Sequence, residues 1–126
     1  MLLASSAVDR AVSACIEDLD QRGFSETILL VIIGEFGRAP KSNDRGGRDH
    51  WGNLCSLGFV GGGLPMSQVI DVSDQFGGSP TSDSVTSDHL LGTIMYTLFD
   101  IDEPEVGISR GILDVITTAH PIPQLS

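Results

Sequence analysis

The run Thr27-Ile28-Leu29-Leu30-Val31-Ile32-Ile33 constrains the fold more than any other part of the chain, because it carries no charge and is mostly β-branched. A continuous apolar run of this length reads as a strand buried on both faces. It is entered from a helix. From Ser6 to Arg22 the residues keep a helical period, with Ala4, Val8, Ala11, Cys15 (or Val12) and Leu19 on one stripe. Asp9, Arg10, Glu17, Asp18 and Gln21 face away, Ser5 or Ser6 caps the start, and Gly23 stands where a C′ residue belongs. A helix leading into a fully buried strand predicts an α/β protein with a parallel sheet.

After the strand the pattern changes. Gly34 to Asn53 is a polar, glycine-rich loop of the length usually kept for function. Leu57 to Val60 reads as a short strand ended by Gly61-Gly62-Gly63, and Gln68 to Val72 as another. Ser73 to Ser84 is a second polar loop. Thr86 or Ser87 caps a second helix through about Phe99, with Leu90, Leu91, Ile94, Met95 and Leu98 on its buried side. An acidic loop, Asp100 to Arg110, precedes a last expected strand at Ile112 to Ile116, and the tail through Pro121 and Pro123 reads as irregular. Two helices cannot cover both faces of a parallel sheet built on the central strand. Residues 1–126 therefore read as a single C-terminal portion of a larger α/β domain, with its N-terminal half absent.

Charge narrows the function classes. Seven basic against 17 acidic residues give a net charge of −10, which argues against nucleic acid as a partner and against docking on an anionic membrane. No apolar run approaches the roughly 18 residues of a membrane-spanning segment. The start, Met1 to Arg10, lacks a basic n-region and a long apolar stretch, so no export signal is expected in the chain itself. Two cysteines, Cys15 and Cys55, are too few for a disulfide framework or a zinc cage. Both read as free, buried thiols and leave the compartment open.

Against that acidic background, Arg38, Lys41, Arg45 and Arg48 crowd into positions 38 to 48. The loop opens with Gly34-Glu35-Phe36-Gly37-Arg38 at the C-terminal end of the apolar strand, where ligands bind in open α/β sheets. It closes with Gly46-Gly47-Arg48-Asp49-His50-Trp51. Carboxylate, imidazole and guanidiniums together suit a hard-metal or oxyanion site. Structural alternatives stand beside that one: Glu35 paired with Arg38 or Arg48, the basic cluster as a solvated loop, and His50, beside Trp51 in the sequence, as a packed and hydrogen-bonded residue. His89 and His120 read as structural, and Asp71, Asp74 and Gly77-Gly78 as turn chemistry. No phosphate-binding P-loop follows Gly61-Gly62-Gly63, and no Gly-x-Ser-x-Gly elbow is present.

Five ordered motifs carry a resemblance. Gly34-Glu35-Phe36-Gly37-Arg38-Ala39-Pro40-Lys41, Gly47-Arg48-Asp49-His50-Trp51, Gly61-Gly62-Gly63, Val69 to Asp74 ahead of Gly77-Gly78, and Asp88-His89-Leu90-Leu91-Gly92-Thr93-Ile94 are in place. From the first helix to about Asp102 the chain resembles the bacterial domain-of-unknown-function family 1501, with Ala39 and Ser73 each standing where that family usually has Thr. The family looks like a branch of the alkaline phosphatase and sulfatase superfamily of metal-dependent ester hydrolases. The resemblance implies a partial α/β/α sandwich with a mostly parallel central sheet. It also implies Glu35 and His50 as metal ligands and Arg38, Arg48 and Asp49 as substrate-binding residues. The ligand would be an anionic small-molecule or glycan ester, and the metal zinc, manganese or calcium. For a full-length member it implies export to the periplasm. One departure is Phe36, which stands where the superfamily has a metal-binding histidine. Another is that the superfamily's nucleophile and remaining ligands belong to its N-terminal half. A non-catalytic binding or structural module therefore competes with a hydrolase half-site. A third expectation is a portion that needs its other half to fold.

Overall fold

The computed structural model describes residues 2–81, 84–99, 111 and 118–125. The elements are α1 (Leu2–Gln21), β1 (Leu29–Ile33), β2 (Gly37–Arg38), β3 (His50–Trp51), β4 (Leu57–Gly61) and α2 (Ser87–Leu98), with a 3-10 turn at Pro123–Leu125. The expected acidic loop at 100–110 and the expected last strand at 112–116 lie outside the described residues.

Helix α1 ends as its sequence indicates. Phe24 N–H donates to the Leu19 carbonyl at 2.8 Å and Gly23 N–H to the Asp20 carbonyl at 3.0 Å. Those two bonds form a Schellman motif, with Gly23 at a φ of +73°. Val12, Ile16 and Leu19 are half-buried at helical spacing, whereas Ala11 and Cys15 of the expected stripe are exposed.

The apolar run forms β1, but its partner overturns the parallel sheet. Strand β1 pairs antiparallel with β4, Leu29 opposite Gly61 and Ile33 opposite Leu57. A second small antiparallel sheet joins β2 to β3. The architecture is two helices with two two-stranded antiparallel sheets, not an α/β/α sandwich. A parallel pair needs a long crossover, usually a helix, and the chain between β1 and β4 folds back on itself as a hairpin instead. Nor is β1 covered on both faces: Leu29 to Ile32 are half-buried and Ile33 is 56% exposed. An uncharged run reports a tendency to be buried; it carries no information on the direction of its neighbour.

The glycine triplet makes a turn. Gly61, Gly62 and Gly63 all have left-handed φ values, +80°, +65° and +72°. A Cβ on Gly61 would lie 2.7 Å from the Ser25 carbonyl oxygen, which itself accepts a hydrogen bond from Gly62 N–H at 2.9 Å. The expected strand at Gln68 to Val72 is absent, and a lone antiparallel bridge between Ser73 and Pro80 takes its place.

Helix α2 starts at Thr86, whose hydroxyl accepts from His89 N–H at 3.4 Å while His89 Nδ1 accepts from Thr86 N–H at 3.1 Å. Histidine thus fills the place of the usual Glu or Gln in a capping box, a structural role as expected. The buried face of α2 differs from the leucine-rich one expected. Gly92 and Thr93 are buried, while Leu91 is 37% and Leu98 61% exposed. The small side chain is what matters: the tail backbone at His120 and Pro121 comes so close that a Cβ on Gly92 would meet it at 2.5–2.9 Å. Thr93 Oγ1 donates to the His89 carbonyl at 2.8 Å and accepts from Ile122 N–H at 2.9 Å. With Ala119, Ile122 and Leu125 also buried, the tail expected to be irregular supplies every buried apolar side chain among the described residues. No described helix is long and apolar enough to cross a membrane.

Replacing Thr93 by Val strands the buried Ile122 N–H and is expected to cost about 1–3 kcal/mol, whereas Thr93→Ser keeps the hydroxyl and costs less. Denaturant unfolding of the two variants side by side checks the order.

Candidate functional site

The residues singled out for chemistry lie on the excursion between Ile33 and Leu57, which are themselves paired. Its neck is closed by three contacts. Cys55 Sγ donates to the Gly34 carbonyl at 2.9 Å. The Leu54 carbonyl presses so near Gly37 that no Cβ could be accommodated there. Gly37 also stands opposite Trp51 in the short β2–β3 ladder, next to the Arg38 and His50 pair.

That ladder sorts side chains by face. Successive residues of a strand alternate, and directly opposed residues share a face. Phe36, Arg38 and His50 therefore fall on one side. The Phe36 and His50 rings stack with centroids 3.8 Å apart at 29°, and the Arg38 guanidinium carbon lies 5.6 Å from the Phe36 centroid. Such contacts hold an imidazole and a guanidinium in place at modest energy. On the other side, Trp51 Nε1 donates to the Gly78 carbonyl at 2.9 Å and ties the hairpin to the loop at 73–80.

That second loop is turn chemistry, as its sequence indicates. Asp74 Oδ1 accepts from Phe76 N–H at 3.0 Å and Gly78 N–H at 2.8 Å, which sets the Gly78 carbonyl where Trp51 meets it.

The tip of the hairpin is organised by Asn43. Its Oδ1 accepts from Arg45 N–H at 3.1 Å and Gly47 N–H at 2.9 Å. Its Nδ2 donates to Asp49 Oδ1 at 2.7 Å. Asp49 is thus engaged within the loop, and its carbonyl accepts from Ala39 N–H at 2.9 Å. The two arginines reach across the hairpin in opposite senses. Arg38 Nη1 donates to the Arg48 carbonyl at 3.3 Å, and Arg48 Nη1 to the Ala39 carbonyl at 3.5 Å. Both side chains are exposed, and these bonds use one of the five N–H groups that each guanidinium carries.

Glu35 is exposed and makes no hydrogen bond or ion pair among the described residues. The pairing of Glu35 with Arg38 or Arg48 is thus not formed. No group of three or more His, Cys, Asp or Glu side chains able to hold a metal occurs among the described residues. A catalytic centre needs about three protein ligands and an open position. Glu35 and His50 offer two donors, and the His50 ring rests on Phe36. Among the described residues these donors do not make up a complete centre for zinc, manganese or calcium. Cys15 and Cys55 are free thiols, but exposed rather than buried.

Two contributors escaped the sequence reading. Asn43 ahead of Gly46-Gly47 carried a recognisable Asx-turn signal. Phe36 carried none, since stacking depends on a hairpin register that local sequence does not declare.

Two helices, two small antiparallel sheets and a hairpin bearing the chemically capable side chains define a small protein of mixed α and β structure. The chain belongs to the family described as "Protein of unknown function (DUF1501)", which matches residues 2–110. That span takes in the hairpin, both sheets and α2. No curated protein and no solved structure matches it.

Trp51→Phe removes the Nε1–H bond to Gly78 and is expected to cost about 1 kcal/mol while loosening the 73–80 loop. Gly37→Ala is expected to cost more, because a backbone carbonyl must move. Denaturant midpoints give the costs, and amide exchange at Phe76 and Gly78 reports the loosening.

Proposed function

We propose that this chain is a binding module for an anionic ester group, recognised by the exposed guanidiniums of Arg38 and Arg48 on the β2–β3 hairpin, with His50 held beside them on Phe36. The observation that carries the reading is the crossed pair of arginine-to-carbonyl bonds, which fixes both cations on one hairpin. Positions 38–48 hold four basic residues and one acidic one, Asp44, in a chain of net charge −10. An anion approaching the molecule meets attraction chiefly there. Guanidinium offers two parallel N–H groups to two oxygens of a sulfate, phosphate or carboxylate, a match that an ammonium lacks. Asp49, engaged with Asn43, shapes the loop that presents them.

A second reading has a specific observation in its favour. The Glu35 carboxylate is exposed and unengaged next to the Phe36 and His50 stack, available as one ligand of a shared metal site. On this reading the chain is the C-terminal portion of an exported, sulfatase- or phosphatase-like hydrolase. The remaining ligands and the nucleophile then come from beyond this chain.

Titration with inorganic sulfate at low ionic strength separates the two. The binding reading expects Arg38→Gln and Arg48→Gln each to weaken sulfate about tenfold, Arg10→Gln on α1 to leave it unchanged, and a chelator to alter neither binding nor unfolding. Equal losses in all three arginine variants would reduce the effect to net charge and remove the hairpin from consideration. A chelator that lowers the unfolding temperature of the native chain but not of Glu35→Gln would favour the hydrolase reading instead.

A further inference from the structure

A groove of about 660 Å³ lies beside β4. Two stretches of chain flank it: residues 53–59 line it without a break, and so do residues 65–73, whereas no residue of β1 does. Successive side chains of a strand point to opposite faces, so a groove under one face of β4 would meet every second residue. Contact with each of Leu57, Gly58 and Phe59 places the groove along the edge of β4 that faces away from β1. That edge has no partner strand among the described residues. Residues 65–73 stand across the groove without pairing to it. Ser67 and Asp71 take left-handed φ values of +64° and +63°, which interrupt the run that the sequence marks as a strand. The Val72 carbonyl accepts from Thr81 N–H at 3.0 Å and Ser73 bridges to Pro80, so this segment pairs with its own loop instead of β4.

We infer that the groove takes an extended, uncharged segment of another protein, which adds to the open edge of β4 as a third strand. A strand edge presents a row of N–H and C=O groups ready to pair with another chain, and in such an addition the main chain supplies affinity and alternate side chains specificity. At strand dimensions of roughly 3.3 Å per residue, 4.8 Å between neighbours and 10 Å between layers, the groove's volume holds about four residues. Ile122 and Leu125, 2% and 9% exposed, also line it, so every second side chain of the segment meets apolar surface. Charge decides against a charged occupant. Arg38 and Asp71 are the charged residues of the lining, and both are engaged. The Arg38 guanidinium reaches Arg48 and Phe36, which lie outside the groove, and Asp71 Oδ1 accepts from Val72 N–H at 2.8 Å. The occupant is thus separate from an anion held on the hairpin. Nor does β4 of a second copy fit, because residues 65–73 of that copy stand along the same edge.

The probe is the blocked peptide acetyl-Thr-Val-Thr-Val-Thr-amide, titrated into the full chain and followed by backbone amide spectra and hydrogen exchange. Binding is expected to slow exchange at alternate amides within Leu57–Gly61 and to leave α1 unchanged. A strand turns alternate amides to opposite edges. N-methylation of one alternate set of peptide amides is therefore expected to weaken binding about tenfold, and of the other set clearly less. Replacing both valines by lysine is expected to abolish binding. Equal losses for the two methylated peptides, or protection confined to residues outside 53–73, overturn strand addition at β4. Undiminished binding of the lysine peptide overturns the uncharged class, and absence of binding by the parent peptide overturns the groove as a peptide site. A dimer of the chain in sedimentation that the peptide dissociates would give the groove to a second copy and overturn the partner segment.

Discussion

The antiparallel pairing of β1 with β4 is the constraint from which the rest of the site follows. Because Ile33 stands opposite Leu57, everything between them must leave and return at one point. A flexible segment so closed incurs a loop entropy cost that grows only slowly with length, and local contacts have to offset it. They do so at the neck, through Cys55 to Gly34 and Gly37 against Leu54, and at the tip, through Asn43. Between neck and tip the short β2–β3 ladder decides which side chains meet. Had β1 found a parallel neighbour, the same residues would have formed an open loop above a sheet edge, with no reason for Phe36 to lie under His50.

A division of labour results. One face of the hairpin carries Phe36, Arg38 and His50, and the other sends Trp51 to the loop that Asp74 has shaped. The anchored face restrains the exposed one, so the cations are presented from a restrained backbone although both arginines are in solvent. The packed centre lies elsewhere. It sits where Gly92 and Thr93 let the tail backbone approach α2, around Ile122 and Leu125. A hydroxyl bridging α2 and tail is well suited there, since the buried Ile122 N–H needs an acceptor.

How much was legible differs from residue to residue. Helix α1 with its Gly23 end, β4, and α2 with its Thr86 cap were written in local patterns of period and capping. The turn role of Asp74 was equally local. The motif order that marks the DUF1501 family was legible too, because it depends on residue identity alone. The buried side of α2 was not: a scan for large apolar residues finds Leu91 and Leu98, while close backbone approach selects Gly92 and Thr93. The exposure of Cys15 was missed for a similar reason, since a helical stripe says which residues share a face but not whether that face is covered.

By itself the sequence determined the two helices, the extended runs of β1 and β4, the turns at Gly23 and Asp74, and that an inverted patch of positive charge sits within an acidic chain. These are properties of neighbours within a few residues, governed by backbone sterics, capping hydrogen bonds and composition. Only the tertiary structure decided the direction in which β1 pairs, the stacking of His50 on Phe36, and the crossed reach of Arg38 and Arg48. Each joins positions nine or more residues apart, through register and chain return. An uncharged strand forms its ladder with a neighbour running either way, and the return path available to the connecting chain makes the choice.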